Sequence, residues 1–229
     1  LPRLLHHGNS AVHADAPSRA ASVHNHMPEA FRKLLLSARS EVLITNAYII
    51  PDSTFVQDLG DLVKRGVVVR ILTNSLASHD GADMNSHYEN WRKPILETGA
   101  LLHELRPDPA MKPQLVDTAP VRGEFSGLHI KAMVIDRQRS FIGSMNLDPR
   151  SEEINSEMGV IIDSESLARN LAQQMEIDMR PVNSWQVQAD ESRGLRWVSD
   201  AGTLTRQPAR SFWQRVENLV FKLFPPSLY

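Results

Sequence analysis

Apolar residues recur along this chain in two rhythms, and the way the rhythms alternate predicts a layered α/β fold. Pro28 opens a helix whose apolar face is Phe31, Leu34, Leu35 and Ala38. A short apolar run at 42–45 then reads as a strand. Ser53 is placed to cap a second helix carrying Phe55, Leu59, Leu62 and Val63 on one side, and Gly66 ends it. The β-branched run 67–72 is a second strand. A polar turn over 74–83 leads to a helix over 87–98 closed by Gly99, and 100–105 is a third strand.

Pro107, Pro109, Pro113 and Pro120 mark a long loop over about 106–126. Strands resume at 128–136 and, after a tight polar turn at 137–139, at 140–144. Another follows at 158–162, then a helix capped by Ser164 and stopped by Pro181. A Trp-containing strand pair near 184–199 and a terminal helix complete the chain. The expected architecture is a mixed β-sheet sandwiched between helices over 27–229, with 1–26 as a linker or extended segment. Phe212, Trp213, Val216, Leu219, Val220, Leu223 and Phe224 form one face of the last helix. Docking of that face on its own domain is the favoured expectation; insertion at a membrane interface is the alternative.

Composition narrows the chemistry. With 229 residues, 41% hydrophobic and 23% charged, the chain can bury a core without staples. Cysteine is absent, which removes disulfides, thiolate zinc sites, iron–sulfur clusters and Cys nucleophiles. Lys plus Arg number 25 against 27 Asp plus Glu. That balance lacks the basic excess that marks sequence-independent nucleic-acid binding, so no nucleic-acid partner is expected. No apolar stretch approaches the roughly 20 residues of a membrane-spanning helix. His6, His7, His13, His24 and His26 crowd the N-terminal arm, but their spacing fits no ligand set on one face, and a solvated arm is expected. The first residue is Leu1, so the chain is expected to begin inside a longer gene product.

The informative stretch runs from Gly127 to Asp136. On a strand, His129 and Lys131 project from one face, a pairing suited to phosphate: lysine neutralises phosphoryl oxygens while histidine attacks phosphorus or moves a proton. Gly143-Ser144-Met145-Asn146 follows, supplying a hydroxyl, an amide and a closely approachable backbone. Asn155-Ser156-Glu157 then offers a carboxylate that could orient an imidazole. Each piece alone is commonplace. In order they read His-x-Lys-x4-Asp, Gly-Ser-x-Asn, Asn-Ser-Glu.

This combination resembles the phospholipase D superfamily, and within it the bacterial cardiolipin synthases and related two-motif phosphatidyltransferases. Segments 141–151, 72–78 and 47–51 are similar to that branch, as are Tyr88, Arg92, Lys93, Pro94, Gly99 and residues 104–106. The resemblance implies a phospholipase D-like fold and a covalent mechanism without metal or other cofactor. One histidine attacks the phosphodiester to give a phosphohistidine, and a second protonates the leaving alcohol and then activates the acceptor. Carried over by position, His129, Lys131 and Asp136 form the catalytic motif, Ser144 and Asn146 bind phosphate, and Glu157 partners an imidazole.

The chain has one such motif where the family uses two: His87 and His103 are followed two residues later by Glu89 and Leu105. The resemblance therefore implies one lobe of a two-lobed enzyme, the second His-x-Lys half coming from a preceding region or a partner chain. The implied function is phosphatidyl transfer between phospholipids by an enzyme held peripherally on the bacterial cytoplasmic membrane. A dimeric phosphodiesterase or nuclease, and a non-catalytic lobe that binds phosphate headgroups, are the alternatives.

Overall fold

The structure, a computed structural model, describes residues 9–14, 26–115, 117, 120, 123–190 and 194–224. In chain order the elements are β1 (Asn9–Ala14), α1 (His26–Leu36), β2 (Glu41–Asn46), α2 (Ser53–Lys64), β3 (Val68–Asn74), a 3-10 turn (Leu76–Ser78), α3 (Ala82–Tyr88) and α4 (Arg92–Glu97). They continue with β4 (Leu101–Leu105), α5 (Lys112–Leu115), β5 (Lys131–Ile135), β6 (Arg139–Gly143), α6 (Pro149–Glu153), β7 (Met158–Asp163) and α7 (Glu165–Asp178). Last come β8 (Ser184–Ala189), β9 (Leu195–Ser199), β10 (Gly202–Leu204) and α8 (Phe212–Phe221).

Among the described residues the strands form a single ten-stranded sheet in the order β1-β7-β6-β5-β2-β3-β4-β8-β9-β10. Only β2, β3 and β4 run parallel; every other neighbouring pair is antiparallel. Period-two alternation divides the apolar residues between two faces. Val42, Ile44, Val69, Ile71, Leu102, Met133 and Phe141 point to one face, where α1, α2 and α4 cover them with Phe31, Leu35, Leu59, Leu62 and Ile95. Leu43, Ala132 and Val134 point to the other, under Ala168, Ala172 and Met175 of α7. The expected helix–sheet–helix sandwich is therefore present.

Several local expectations change. Within the expected linker, Asn9–Ala14 is an edge strand on β7, almost wholly solvent-exposed. It pairs with β7 through the backbone and its side chains are largely exposed, so it carries no apolar signal. His13 lies on this strand and His26 opens α1, whereas His6, His7 and His24 fall outside the described residues; no metal-ligating cluster occurs among those described. Asp52, one residue before Ser53, caps α2: its Oδ1 accepts from the Phe55 N–H at 2.7 Å. The single helix expected over 87–98 is two, α3 and α4. Pro94 explains the break, because its ring would clash with the Asn90 carbonyl in a continuous helix but fits the first turn of a new one. Gly66 and Gly99, both with positive φ, close the preceding helices as expected.

The terminal helix reverses its expectation. Gln214 and Asn218 are its buried residues, while Phe212, Trp213, Leu219, Val220, Leu223 and Phe224 are exposed. It docks through hydrogen bonds: Gln214 Nε2 to the Leu76 carbonyl at 2.6 Å, and Asn85 Nδ2 to Asn218 Oδ1 at 2.7 Å. Asn218 Nδ2 also donates to Glu89, which pairs with Lys222. The apolar face points away from the domain.

Candidate active site

The three parallel strands deliver their carboxyl ends, Asn46, Asn74 and Leu105, to one edge of the sheet. Because β5 runs antiparallel to this group, β6 antiparallel to β5 and β7 antiparallel to β6, Lys131, Gly143 and Met158 arrive at the same edge. In α/β sheets such an edge is where ligands gather.

β5 begins at Lys131, not at 128, so His129 occupies the extended lead-in to the strand. That lead-in is pinned by its neighbours. The Asn74 side chain accepts the Leu128 N–H at 2.8 Å and donates to the Leu128 carbonyl at 3.0 Å and the Ala47 carbonyl at 3.1 Å. Ala47 N–H in turn donates to the Ile130 carbonyl at 3.0 Å. Gly127 passes so close to the 3-10 turn that a Cβ there would sit 2.7 Å from the Ser78 carbonyl oxygen. His129 is left exposed on this fixed backbone.

Lys131 is 6% exposed, and its Nζ donates to the His129 carbonyl at 2.9 Å. Burial draws its ammonium below the ordinary lysine value, opposed by Glu157 and Asp148. A cation poised in this way is poorly solvated and therefore interacts strongly with any anion reaching the edge. Nζ also lies 6.0 Å from the centre of the Tyr48 ring.

Ser144 and Glu157 bind one another. The Ser144 hydroxyl donates to Glu157 Oε2 and accepts the Met158 N–H at 3.1 Å, while Asn155 Nδ2 donates to Glu157 Oε1 at 3.3 Å. Glu157 is thus bonded to Ser144 and Asn155, and these bonds fix the turn over 143–146. Asn146 stands in the same turn, with its Oδ1 buried and without a hydrogen-bond partner among the described residues. Asp148, buried just beyond, caps α6 by accepting the Ser151 N–H at 2.7 Å.

Asp136 lies elsewhere. It sits at the opposite end of β5, roughly 17 Å from Lys131 at the usual strand rise. There its carboxylate accepts the N–H groups of Arg39, Ser40 and Glu41 and the Ser40 hydroxyl, at 2.8–3.2 Å. Its backbone and that of Arg137 both have positive φ, forming the β5–β6 hairpin. Asp136 therefore locks a turn at the end of β5 remote from Lys131.

Four residues without a role in the sequence reading complete the surroundings. Asn46 and Asn74 end buried strands; Asn46 donates to the Met145 carbonyl at 3.2 Å and accepts the Tyr48 N–H at 3.3 Å. Polar residues closing apolar strands were their available signal. The Tyr48 ring stacks on His79 with centroids 5.2 Å apart. His79 is fully enclosed, and burial together with Arg92 and Arg210 pushes its imidazole down to about 3, so it stays neutral at physiological pH.

A sheet of this topology presents at one edge an exposed histidine, a buried lysine and a Gly-Ser-x-Asn turn. The family profile described as "Cardiolipin synthase, PLD-like domain" matches residues 31–179, and the chain belongs to that family. It is 34% identical over 219 residues to cardiolipin synthase C of Escherichia coli (strain K12), covering 93% of this chain and 46% of that protein. The chain thus spans less than half the length of the first curated relatives it matches. The fold matches the crystal structure of the phospholipase D family member Nuc from Salmonella typhimurium, with TM-score 0.54 and 18% identity over 77% of this chain and 97% of that one. It also matches phosphatidylserine synthase of Haemophilus influenzae Rd KW20, with TM-score 0.59 and 14% identity over 80% of this chain and 41% of that one.

Proposed function

We propose that this chain is a catalytic lobe for phosphatidyl transfer between phospholipids, with His129 as one of two reacting histidines. The observation that carries the reading is the exposed His129 held over the buried Lys131 at the carboxyl edge, in a chain of the cardiolipin synthase family.

A neutral imidazole nitrogen of His129 attacks phosphorus in a donor phospholipid. The phosphorus–nitrogen bond forms as the bond to the leaving alcohol oxygen breaks. An acid on the second half gives that oxygen its proton. The same group then removes a proton from the hydroxyl of an acceptor lipid, whose oxygen displaces His129. The Lys131 ammonium offsets negative charge on the phosphoryl oxygens, and its low solvation makes that effect large. The Asn146 amide and the backbone of the 143–146 turn hold the phosphate, while Glu157 positions Ser144.

The chain supplies one such histidine, so the proposal includes a second His-x-Lys half, in the same polypeptide or a partner. No described helix is long and apolar enough to cross a membrane. Lipid substrates favour a peripheral position at the surface of the bacterial cytoplasmic membrane. The test follows phosphate-labelled donor lipid in the protein carrying both halves, with acid quench. Label is expected on protein and in the product lipid, and His129→Ala should slow transfer by about a thousandfold or more. Transfer unaffected by His129→Ala would refute the assignment.

A further inference from the structure

We propose that the outward face of α8 docks on the surface of a phospholipid bilayer and holds the sheet's carboxyl edge against the headgroups. α8 is amphipathic in reverse of a helix that packs on its own core. Gln214 and Asn218 are turned inward and hydrogen-bonded, while Phe212 and Trp213 are 70% and 71% exposed and Leu223 is 84% exposed. At about 100° per residue, the exposed apolar side chains occupy the arc opposite Gln214 and Asn218. Because the inward contacts are specific hydrogen bonds, this orientation is held by paired polar groups, and turning the apolar face inward would strand them.

Three further observations favour a lipid surface as the occupant. Aromatic rings stand at both ends of the face, Phe212 against Trp213 with centroids 6.0 Å apart at one and Phe224 at the other; the amphipathic indole of Trp213 favours the headgroup level. One flank of the apolar arc carries the Arg215 guanidinium, which donates to the Gln207 carbonyl and is complementary to anionic headgroups; Lys222 on that flank pairs with Glu89, and Glu217 stands on the opposite flank. The helix is also tied to the reaction edge. Arg210, just before it, donates to the Ala77 carbonyl at 3.0 Å and stacks 3.6 Å over the Phe125 ring, two residues before Gly127. Gln214 holds the Leu76 carbonyl of the same 3-10 turn that Gly127 packs against. A bilayer reached by α8 therefore lies beside the segment that carries His129.

The inference rests on the phospholipid-transfer reading for its purpose, but its test needs no turnover. The 229-residue chain is floated with phosphatidylglycerol vesicles, unaltered and as the triple substitution Trp213→Ser, Leu219→Gln, Leu223→Gln, with circular dichroism as the check on folding and Trp213→Ser alone as a milder second variant. Binding by the unaltered chain, weakened about tenfold or more by the triple substitution, is expected. Trp213 fluorescence, isolated by difference against Trp213→Phe, should be quenched by lipids labelled in the upper acyl chain. His129→Ala should bind as the unaltered chain does, so loss of the catalytic reading would leave this result standing. Absence of flotation, or flotation indifferent to the substitutions, would overturn the proposal. So would light scattering that shows the chain pairing with itself through α8 and separating when the face is made polar.

Discussion

Replacing Asp136 separates the chemical from the mechanical role of the third motif residue. Its carboxylate accepts three backbone N–H groups and one hydroxyl, and it occupies a position with φ of +52°. The group is half-exposed, so water competes and each bond contributes about 0.5–1 kcal/mol net. Asparagine tolerates the left-handed backbone but keeps a single acceptor oxygen, so Asp136→Asn should cost about 1–2 kcal/mol. Asp136→Ala loses every acceptor and adds about 1 kcal/mol of left-handed strain, about 3 kcal/mol or more in total. For a chain of this size those losses lower Tm by roughly 3–8 °C and 6–12 °C. Burial raises the Asp136 carboxyl, but the donors from Glu41, Ser40 and Arg39 outweigh it and hold the group below its ordinary value. The contribution is therefore present above the unfolded carboxyl pKa of about 3.9 and lost as pH falls through the lower folded value. Unaltered and Asp136→Asn proteins should converge in thermal melts as pH falls through that lowered value. Transfer per folded molecule, measured in the protein carrying both halves, should stay within a few-fold. Unchanged melting with transfer lowered a hundredfold would refute the reasoning and place Asp136 in the chemistry.

Three further outcomes follow from buried groups. Lys131→Met removes a cation that costs free energy to bury, so Tm should hold or rise while transfer falls by about a thousandfold; a lower Tm with retained transfer would contradict this. Glu104→Gln leaves Arg92 without its charged partner in a core where Tyr88, Arg92 and Trp197 all donate to that carboxylate, and denaturant unfolding should show a loss of about 3–5 kcal/mol. Gly159→Ala would set a Cβ 2.4 Å from Phe141 Cε2 and 2.7 Å from Met27 Cε, and a loss of about 1–3 kcal/mol is expected from the same measurement.

The central strands and their covering helices were legible because unbroken apolar runs and helical spacing both report burial. β1 was not, because an edge strand held by backbone bonds leaves no trace in side chains such as Asn9, Ser10 and Val12. Motif order singles out the candidate site residues, yet the register sets them in different places. Lys131 and Asp136 share a motif but occupy opposite ends of one strand. Glu157 bonds Ser144, a contact that motif order does not reveal, since the turn at 143–146 bends the serine hydroxyl toward the start of β7. The helix at the C-terminus was misjudged for a different reason. Periodicity identifies an apolar face but not the direction it points, and here Gln214 and Asn218 decide that.

The spacing between Lys131 and Asp136 acquires a mechanical meaning from this arrangement. Those residues are joined by a single straight strand, anchored at one end by the carboxylate and opening at the other into the reaction edge. The interval works as a ruler. Shortening it by one residue would draw the lysine back toward the hairpin and turn it to the opposite side of the pleat. Changes of length inside it should therefore be more damaging than most changes of residue.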